Sequence, residues 1–324
     1  MPITGRIIEE QKNYFIIDTA QGTLRATTSG LLKKDAKRSS HASRAKHTKC
    51  VCVGDMVDCE ITNTDTPAGI ILKIHERTSF LNRPPVANLT QVILVCTVKE
   101  PPLDLEATDR FLVCASAYGL APVLVFNKND RLAPAESASL ETIVNVYKRC
   151  GYSVFLTSAH TGAGLPELMQ ICSDRVSAFA GLSGVGKSAL LSKIFPDREF
   201  NIGEVSGPTG RGTHTTTCVS LLPLPKGGYI ADTPGVSFVD LPIVPEEDIV
   251  SYFPELEQQI GKCRFNNCIH ENEPGCRVHE LVEAGEIAGW RVAHYLKIFK
   301  EMRDRRRQYE LPRAKARGFL TELA

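Results

Sequence analysis

Gly181-Leu182-Ser183-Gly184-Val185-Gly186-Lys187-Ser188 is the most informative run in this 324-residue sequence. It fits G-x-x-x-x-G-K-[ST]. The glycines let backbone amides converge on phosphate oxygens, where a side chain would obstruct. Lys187 would reach the β- and γ-phosphates, and the Ser188 hydroxyl would coordinate magnesium. VSAFAG before the run reads as a strand and SALLSKIF after it as a helix. That helix, beginning near Ser188 and Ala189, points its positive dipole end at the same charge. The alternative is a glycine-rich turn without a ligand, and the strand–loop–helix context argues against it.

Upstream of the loop, QVILVCTV, APVLVF and YSVFLTS read as strands. DLEATDRFLVCASAYGL, ETIVNVYKRCG and LPELMQICS read as helices between and after them. This alternation predicts a parallel sheet with helices on both faces. Polar loops then fall at strand ends, where such sheets bind ligands. In Asn127-Lys128-Asn129-Asp130, Asp130 can accept the two adjacent N–H groups of guanine, which adenine cannot offer. Asn127 can tie this loop to the base and to the phosphate loop, and the Lys128 stem can lie over the ring. In Ser158-Ala159-His160-Thr161-Gly162, the Ala159 amide could donate to the base carbonyl. Asp232-Thr233-Pro234-Gly235 follows the strand GGYIA, with Asp232 on the magnesium shell and the Gly235 amide near the γ-phosphate. Together these imply a GTP site.

The order of these signals is rotated. GTPases generally run phosphate loop, first switch, D-x-x-G, N-K-x-D and then S-A-x. Here N-K-x-D and S-A-x come first. A circular permutation is physically acceptable, because chain ends of a compact domain lie close together. A second departure concerns catalysis. Many GTPases carry a water-orienting glutamine just after D-x-x-G, but here Val236, Ser237 and Phe238 follow. The first switch should lie in GRGTHTTT (210–217). Thr216, with Thr215 as the alternative, is the candidate for the magnesium and γ-phosphate contact. His214 is the candidate for orienting water, against a switch histidine that serves contacts only.

The flanks differ from the centre. Residues 1–80 carry a net charge of +3, residues 81–280 of −6 and residues 281–324 of +4. Basic ends imply contact with nucleic acid or another polyanion. RIIEEQKNYFIIDTAQGTLRATT, VCVGDMVDCEIT and AGIILKIHE supply short alternating strands, which suggests a small barrel of the oligonucleotide-binding type. The insert at residues 32–49 holds seven Lys/Arg, two His and one acid. It is either a solvated loop or an arm that follows a phosphate backbone.

Near the other end, Cys263, Cys268, His270 and Cys276 give C-x4-C-x-H-x5-C. Three thiolates and an imidazole fill a tetrahedral zinc shell with no open position, so the site should be structural. The other eight cysteines read as small core residues. Trp290, Tyr295 and Phe299 lie at helical spacing and read as core. The basic tail around Arg303, Arg305, Arg306, Arg307, Arg313, Lys315 and Arg317 could contact RNA phosphates or be a solvated charged helical face; the divided net charge favours RNA.

Composition excludes several classes. Apolar residues make up 43% and charged residues 23%, which rules out wholesale disorder. Eleven scattered cysteines do not suit a secreted disulfide scaffold. The N-terminal residues show no signal-peptide pattern, and the uncharged stretch 111–126 falls short of the ~20 apolar residues of a membrane span. A cytoplasmic location is expected.

The whole layout resembles the RsgA (YjeQ, EngC) family of ribosome-assembly GTPases. RPPVAN, NKND, SAHTGAG, GLSGVGKS, GRGTHTTT, DTPG and CRFNNCIHENEPGC carry the resemblance over almost the entire chain. The insert 32–49 departs from it. The resemblance implies GTP hydrolysis activated by the small ribosomal subunit during its late maturation, with ribosomal RNA contacted by the barrel and zinc domains. It also supports a catalytic reading of His214. The expected organisation is an OB-like barrel (1–80), a circularly permuted α/β P-loop GTPase domain (81–248) and a zinc-knuckle domain with basic helices (249–324). Zinc and magnesium are the expected cofactors. GTP or GDP and the small subunit with its rRNA are the expected partners of a monomer that needs no membrane. The rival reading is an RNA-binding assembly scaffold whose bound nucleotide is regulatory without significant turnover.

Overall fold

The computed structural model describes residues 2–30, 51–63, 67–82, 84–198, 200, 219–236, 241 and 243–321, with the side chains of 82, 233–236 and 309–321 left out. The insert 32–49 and the switch residues His214, Thr215 and Thr216 lie outside the described residues. The chain divides into two compact units. One comprises Met1–Pro101, Tyr118–Asp130 and Phe155–Ser237; the other comprises Pro102–Ala117, Arg131–Val154 and Phe238–Ala324.

The first unit opens with β1 (Ile3–Glu10), β2 (Phe15–Thr19), β3 (Gly22–Thr28), β4 (Met56–Asn63) and β5 (Ala68–Ile74). Period-two alternation turns one side of each strand inward: Ile7, Ile17, Leu24, Val57, Cys59 and Ile71 are all buried. The strands run in the order β1-β2-β3-β5-β4, and a β1–β4 pairing closes the ring. The β3–β5 pair is parallel, while β1–β2, β2–β3, β4–β5 and β1–β4 are antiparallel. This is the expected OB-like barrel. Burial pushes the Cys59 thiol up to about 11, as befits a core residue.

The chain leaving the barrel is latched to it by β6 (Phe80–Asn82), β7 (Pro85–Ala87) and their flanks. Ala87 N donates to Val53 O at 2.9 Å and Asn88 Nδ2 to Gly54 O at 3.0 Å. Gly54 cannot carry a side chain, because its φ is +94° and a Cβ would lie 2.0 Å from Ala87 O. Beside it the buried Asp55 accepts two bonds from Arg77, at 2.7 and 2.8 Å.

Beyond the latch come β8 (Gln91–Cys96), β9 (Ala121–Phe126), β10 (Ser153–Leu156), β11 (Val176–Ala180), β12 (Ser220–Pro223) and β13 (Tyr229–Val236). Their order is β10-β9-β8-β11-β13-β12. The β9–β8, β8–β11 and β11–β13 pairs are parallel, and β12 is antiparallel to β13. The apolar runs of β8 and β11 are buried almost throughout, as central parallel strands require. The helices preceding the C-terminal region are α1 (Leu105–Ala117), α2 (Pro134–Arg149), α3 (Leu165–Cys172) and α4 (Lys187–Ile194). Leu168 of α3 and Leu190 and Leu191 of α4 pack in one core with Ile93, Val125 and Phe179.

Three elements differ from expectation. β12 has only four residues and little pattern to announce it. β13 continues through Asp232–Gly235 instead of stopping at Ala231, but its pairing with β11 jumps from Ala178↔Ala231 to Ala180↔Val236. Residues 232–235 therefore bulge opposite Phe179, and Pro234 has no N–H to give to a ladder. α2 starts at Pro134 rather than near Glu141. Proline is pre-shaped for a first helical turn, and Glu136 Oε2 reaches back to accept from Ala133 N at 2.8 Å.

The second unit gathers α1 and α2 with a 3-10 segment (Glu246–Tyr252), α5 (Pro254–Glu257), α6 (Arg277–Glu283) and α7 (Gly289–Thr321). Tyr295 and Phe299 are core, as expected, and Trp290 meets Tyr147 edge-on at 5.7 Å. At the centre lies Arg291 of α7, 1% exposed. It donates to Asp109 Oδ1 of α1 at 2.5 Å and to Glu255 of α5 at 2.6 and 3.1 Å. Tyr147 OH of α2 donates to Asp109 at 2.7 Å, and the Phe253 ring lies 4.8 Å from the guanidinium. Burial works against the charge, but the Asp109 and Glu255 carboxylates outweigh it and hold Arg291 above its ordinary pKa.

Candidate active site and metal centre

The phosphate loop joins β11 to α4, as the motif requires. Gly181 has φ +136°, and a Cβ there would lie 2.3 Å from Val95 O. Lys187 opens α4, and its Nζ donates to the carbonyls of Gly181 and Leu182 at 2.7 and 2.8 Å. The ammonium therefore sits over the loop, and burial lowers its pKa. Ser188 and Ala189 follow in the first turn of the same helix.

Asn127 interlocks three loops. Buried at the end of β9, its Nδ2 donates to Val185 O of the phosphate loop at 2.9 Å. Its Oδ1 accepts from Ala159 N at 3.1 Å and from Thr157 Oγ1 at 3.3 Å, both in the loop after β10. The fit leaves no room at Gly186, where φ is +95° and a Cβ would lie 2.4 Å from Asn127 Nδ2. The sequence reading aimed Asn127 at a base and at the phosphate loop; the structure has it joining the phosphate loop to the Ser158-Ala159 loop. The Ala159 amide, read from sequence as a donor to the base, here points to Asn127.

Around this lock the remaining loops take shape. Lys128 adopts φ +62° and its Nζ donates to Glu100 O at 2.7 Å. Nothing in the local sequence pattern announced Glu100 as its partner. Asn129 N donates to Thr157 O at 3.1 Å, and Asp130 stands exposed in the turn that follows. Ser158 Oγ accepts from Thr161 N at 3.1 Å, which folds the second loop back on itself. The loops after β9, β10 and β11 thus share the carboxyl edge of the sheet. Asp232 begins the bulge of β13; burial raises its pKa while Arg198 pulls it down. Gly235 belongs to the same bulge.

Cys263, Cys268, His270 and Cys276 converge in the second unit, their ligand atoms all within 4.8 Å of one another. His270 Nδ1 lies 3.6, 3.5 and 3.4 Å from the sulfurs of Cys263, Cys268 and Cys276. A tetrahedral zinc ion with ordinary Zn–S and Zn–N bonds gives S···N edges of about 3.6 Å, so the donor set fits. Surrounding groups hold it in shape. His279 Nε2 donates to His270 O at 3.0 Å, and Arg277 N donates to Cys263 Sγ at 3.3 Å. Glu273 accepts from the amides of Ile269, Glu271 and Asn272 at 2.8, 2.8 and 3.1 Å, closing the turn between His270 and Cys276. Burial pushes the Cys268 thiol up to about 12, so a cation is what would make these sulfurs thiolates. These four residues could hold a metal ion.

A family model described as RsgA GTPase matches residues 74–242. The small ribosomal subunit biogenesis GTPase RsgA of Moorella thermoacetica is 44% identical over 256 residues, covering 79% of this chain and 86% of that protein. The protein of the same name from Caldanaerobacter subterraneus subsp. tengcongensis is 36% identical over 309 residues, covering 95% and 99%. Two crystal structures share the fold. YjeQ from Thermotoga maritima has a TM-score of 0.75 at 32% identity, over 93% of this chain and 99% of that one. YloQ, a circularly permuted GTPase, has a TM-score of 0.74 at 28% identity, over 94% and 96%. The rotated motif order is thus a property shared with a solved relative, and similarity extends over nearly the full length. The chain belongs to the RsgA GTPase family.

Proposed function

We infer that this protein hydrolyses GTP to GDP and phosphate in late maturation of the small ribosomal subunit, and that the subunit stimulates the reaction. The observation that carries the nucleotide reading is the Asn127 lock, which brings the phosphate loop and both base-side loops to one point. In this reading residues 181–189 cradle the phosphates, and Lys187 turns from its loop carbonyls towards the β- and γ-oxygens. Asp130 accepts from the guanine edge, with Lys128, Asn129, Ser158 and Ala159 completing the base pocket. Magnesium, when bound, neutralises charge between the β- and γ-phosphates; Ser188 and Asp232 would hold it, and Gly235 would approach the γ-phosphate. Thr216 supplies the first-switch contact. His214 orients the attacking water in place of the glutamine that Val236 replaces. Zinc is the metal proposed for the cysteine–histidine cluster. The barrel and the basic C-terminal region contact rRNA, and the protein works as a cytoplasmic monomer. No helix among the described residues is long and apolar enough to cross a membrane.

Steady-state GTP hydrolysis, alone and with purified small subunits, tests this for the full chain and for His214→Ala. Subunits should raise the wild-type rate strongly. His214→Ala should lower the stimulated kcat by about 100-fold or more while subunit binding persists. Subunits that bind without changing the rate would favour the scaffold reading, which the missing glutamine keeps in play.

A further inference from the structure

The barrel and the GTPase sheet are one continuous sheet, joined where β1 meets β12. β1 uses a single edge twice: Ile3–Arg6 pair with β4 to close the barrel, and Glu9 pairs with Ser220 of β12. Between these stretches its pairing with β2 shifts from Ile7↔Ile17 to Glu9↔Ile16, leaving Ile8 as an extra residue. Such a bulge bends a strand, so the end of β1 is re-aimed out of the barrel. Without that partner, the short β12 would be an edge strand.

The register across this joint leads to the nucleotide site. Glu9 is opposite Ser220, and Ser220 is opposite Asp232. On its other edge β13 loses its ladder with β11 over residues 232–235. The neighbour that fixes the backbone of Asp232 is therefore β12, and the neighbour that fixes β12 from outside is β1. A second brace lies close by on β13. Tyr229 OH donates to Asp18 Oδ2 of β2 at 2.7 Å. The Arg6 guanidinium lies 5.5 Å from the Tyr229 ring and donates to Gly54 O at 2.9 Å.

We propose that this seam is a positioning device for the reaction: the barrel's first strand, braced by the Tyr229–Asp18 bond, sets the position of Asp232 through Ser220. Tyr229 stands at the start of β13, ahead of Asp232, and its bond to Asp18 acts through the position of that strand. The proposal rests on the reading of Asp232 as the magnesium-side carboxylate.

The test is a magnesium titration of a fluorescent, non-hydrolysable GTP analogue bound to the full chain. Tyr229→Phe, Asp18→Asn, their double variant and Asp232→Asn are compared with wild type, and analogue affinity in EDTA is measured alongside. Asp232→Asn should raise the magnesium concentration for half-maximal retention. Tyr229→Phe and Asp18→Asn should each raise it about three- to tenfold, the double variant no further, with the EDTA affinity unchanged. A shift for Asp232→Asn with none for the seam variants overturns the seam alone. No shift for Asp232→Asn removes the reading of that residue, and the proposal with it. Parallel losses with and without magnesium would mean general loosening, and would also overturn it.

Discussion

Asn127 and Gly186 form a lock in which the amide of one occupies the space a side chain of the other would need. Gly186→Ala would both force a residue with a Cβ to φ +95° and drive that Cβ onto Asn127 Nδ2. The backbone strain costs roughly 1–2 kcal/mol, and a displaced buried amide a further ~1–3 kcal/mol. Binding of a fluorescent GDP analogue should weaken at least about tenfold, with the fold retained by circular dichroism. These pairings also mark what single residues conceal. Gly181–Ser188 and the cysteine cluster are contiguous strings whose chemistry is local, so they are legible without coordinates. Asn127 was legible as a site residue, and so was its tie to the phosphate loop, but its bonds from Thr157 and Ala159 were not, because they come from a separate loop. Arg291 was not singled out from the sequence, being one more cation in the C-terminal helix. It is instead the largest of the fully buried side chains among the described residues. Only its distant partners Asp109 and Glu255 make that burial tolerable, and no local pattern announces them.

Helices of the second unit are held by charge as well as by apolar packing. Arg291 of α7 joins α1 and α5, so its loss leaves buried Glu255 without its cation and Asp109 with only His294 and Tyr147. Arg291→Met should destabilise the protein by about 3–5 kcal/mol in urea unfolding. The partly exposed pair Arg110–Glu301, also between α1 and α7, should behave differently. Its hydrogen bond to Arg110 holds the Glu301 carboxyl below its ordinary pKa. A depressed carboxyl contributes stability above its unfolded value of about 4.3, and loses it as pH falls through the folded value. Solvent screening limits the contribution to under about 1 kcal/mol. Glu301→Gln should therefore lower Tm by about 1–2 °C at pH 7, and the difference should vanish as the pH drops below about 4. Element boundaries follow the same logic of hidden partners. Long apolar strands such as β8 were legible; β12, four residues long, exists because β13 and β1 flank it.

For the molecule as a whole, the fold class was legible because each domain announces itself in a different texture: alternating strands, then strands and helices in turn, then a knuckle. The continuity of barrel and GTPase sheet was not, since one pairing, Glu9 with Ser220, creates it across most of the chain. The strand order has a further consequence, for how the protein comes into being. Within the GTPase sheet, β8, β9 and β10 leave the ribosome first, with the loops that hold Asn127 and Ala159. β11, with the phosphate loop at its end, can then dock on β8, but its other flank stays open until β13 has emerged. Parallel pairings between distant strands form late, and chains fold as they are made. A nascent chain thus carries the loops after β9, β10 and β11 before the strand that bears Asp232 has been made. The GTPase sheet is complete only when the strand through Val236 pairs with β11 and brings Asp232 into place after a phosphate loop made earlier.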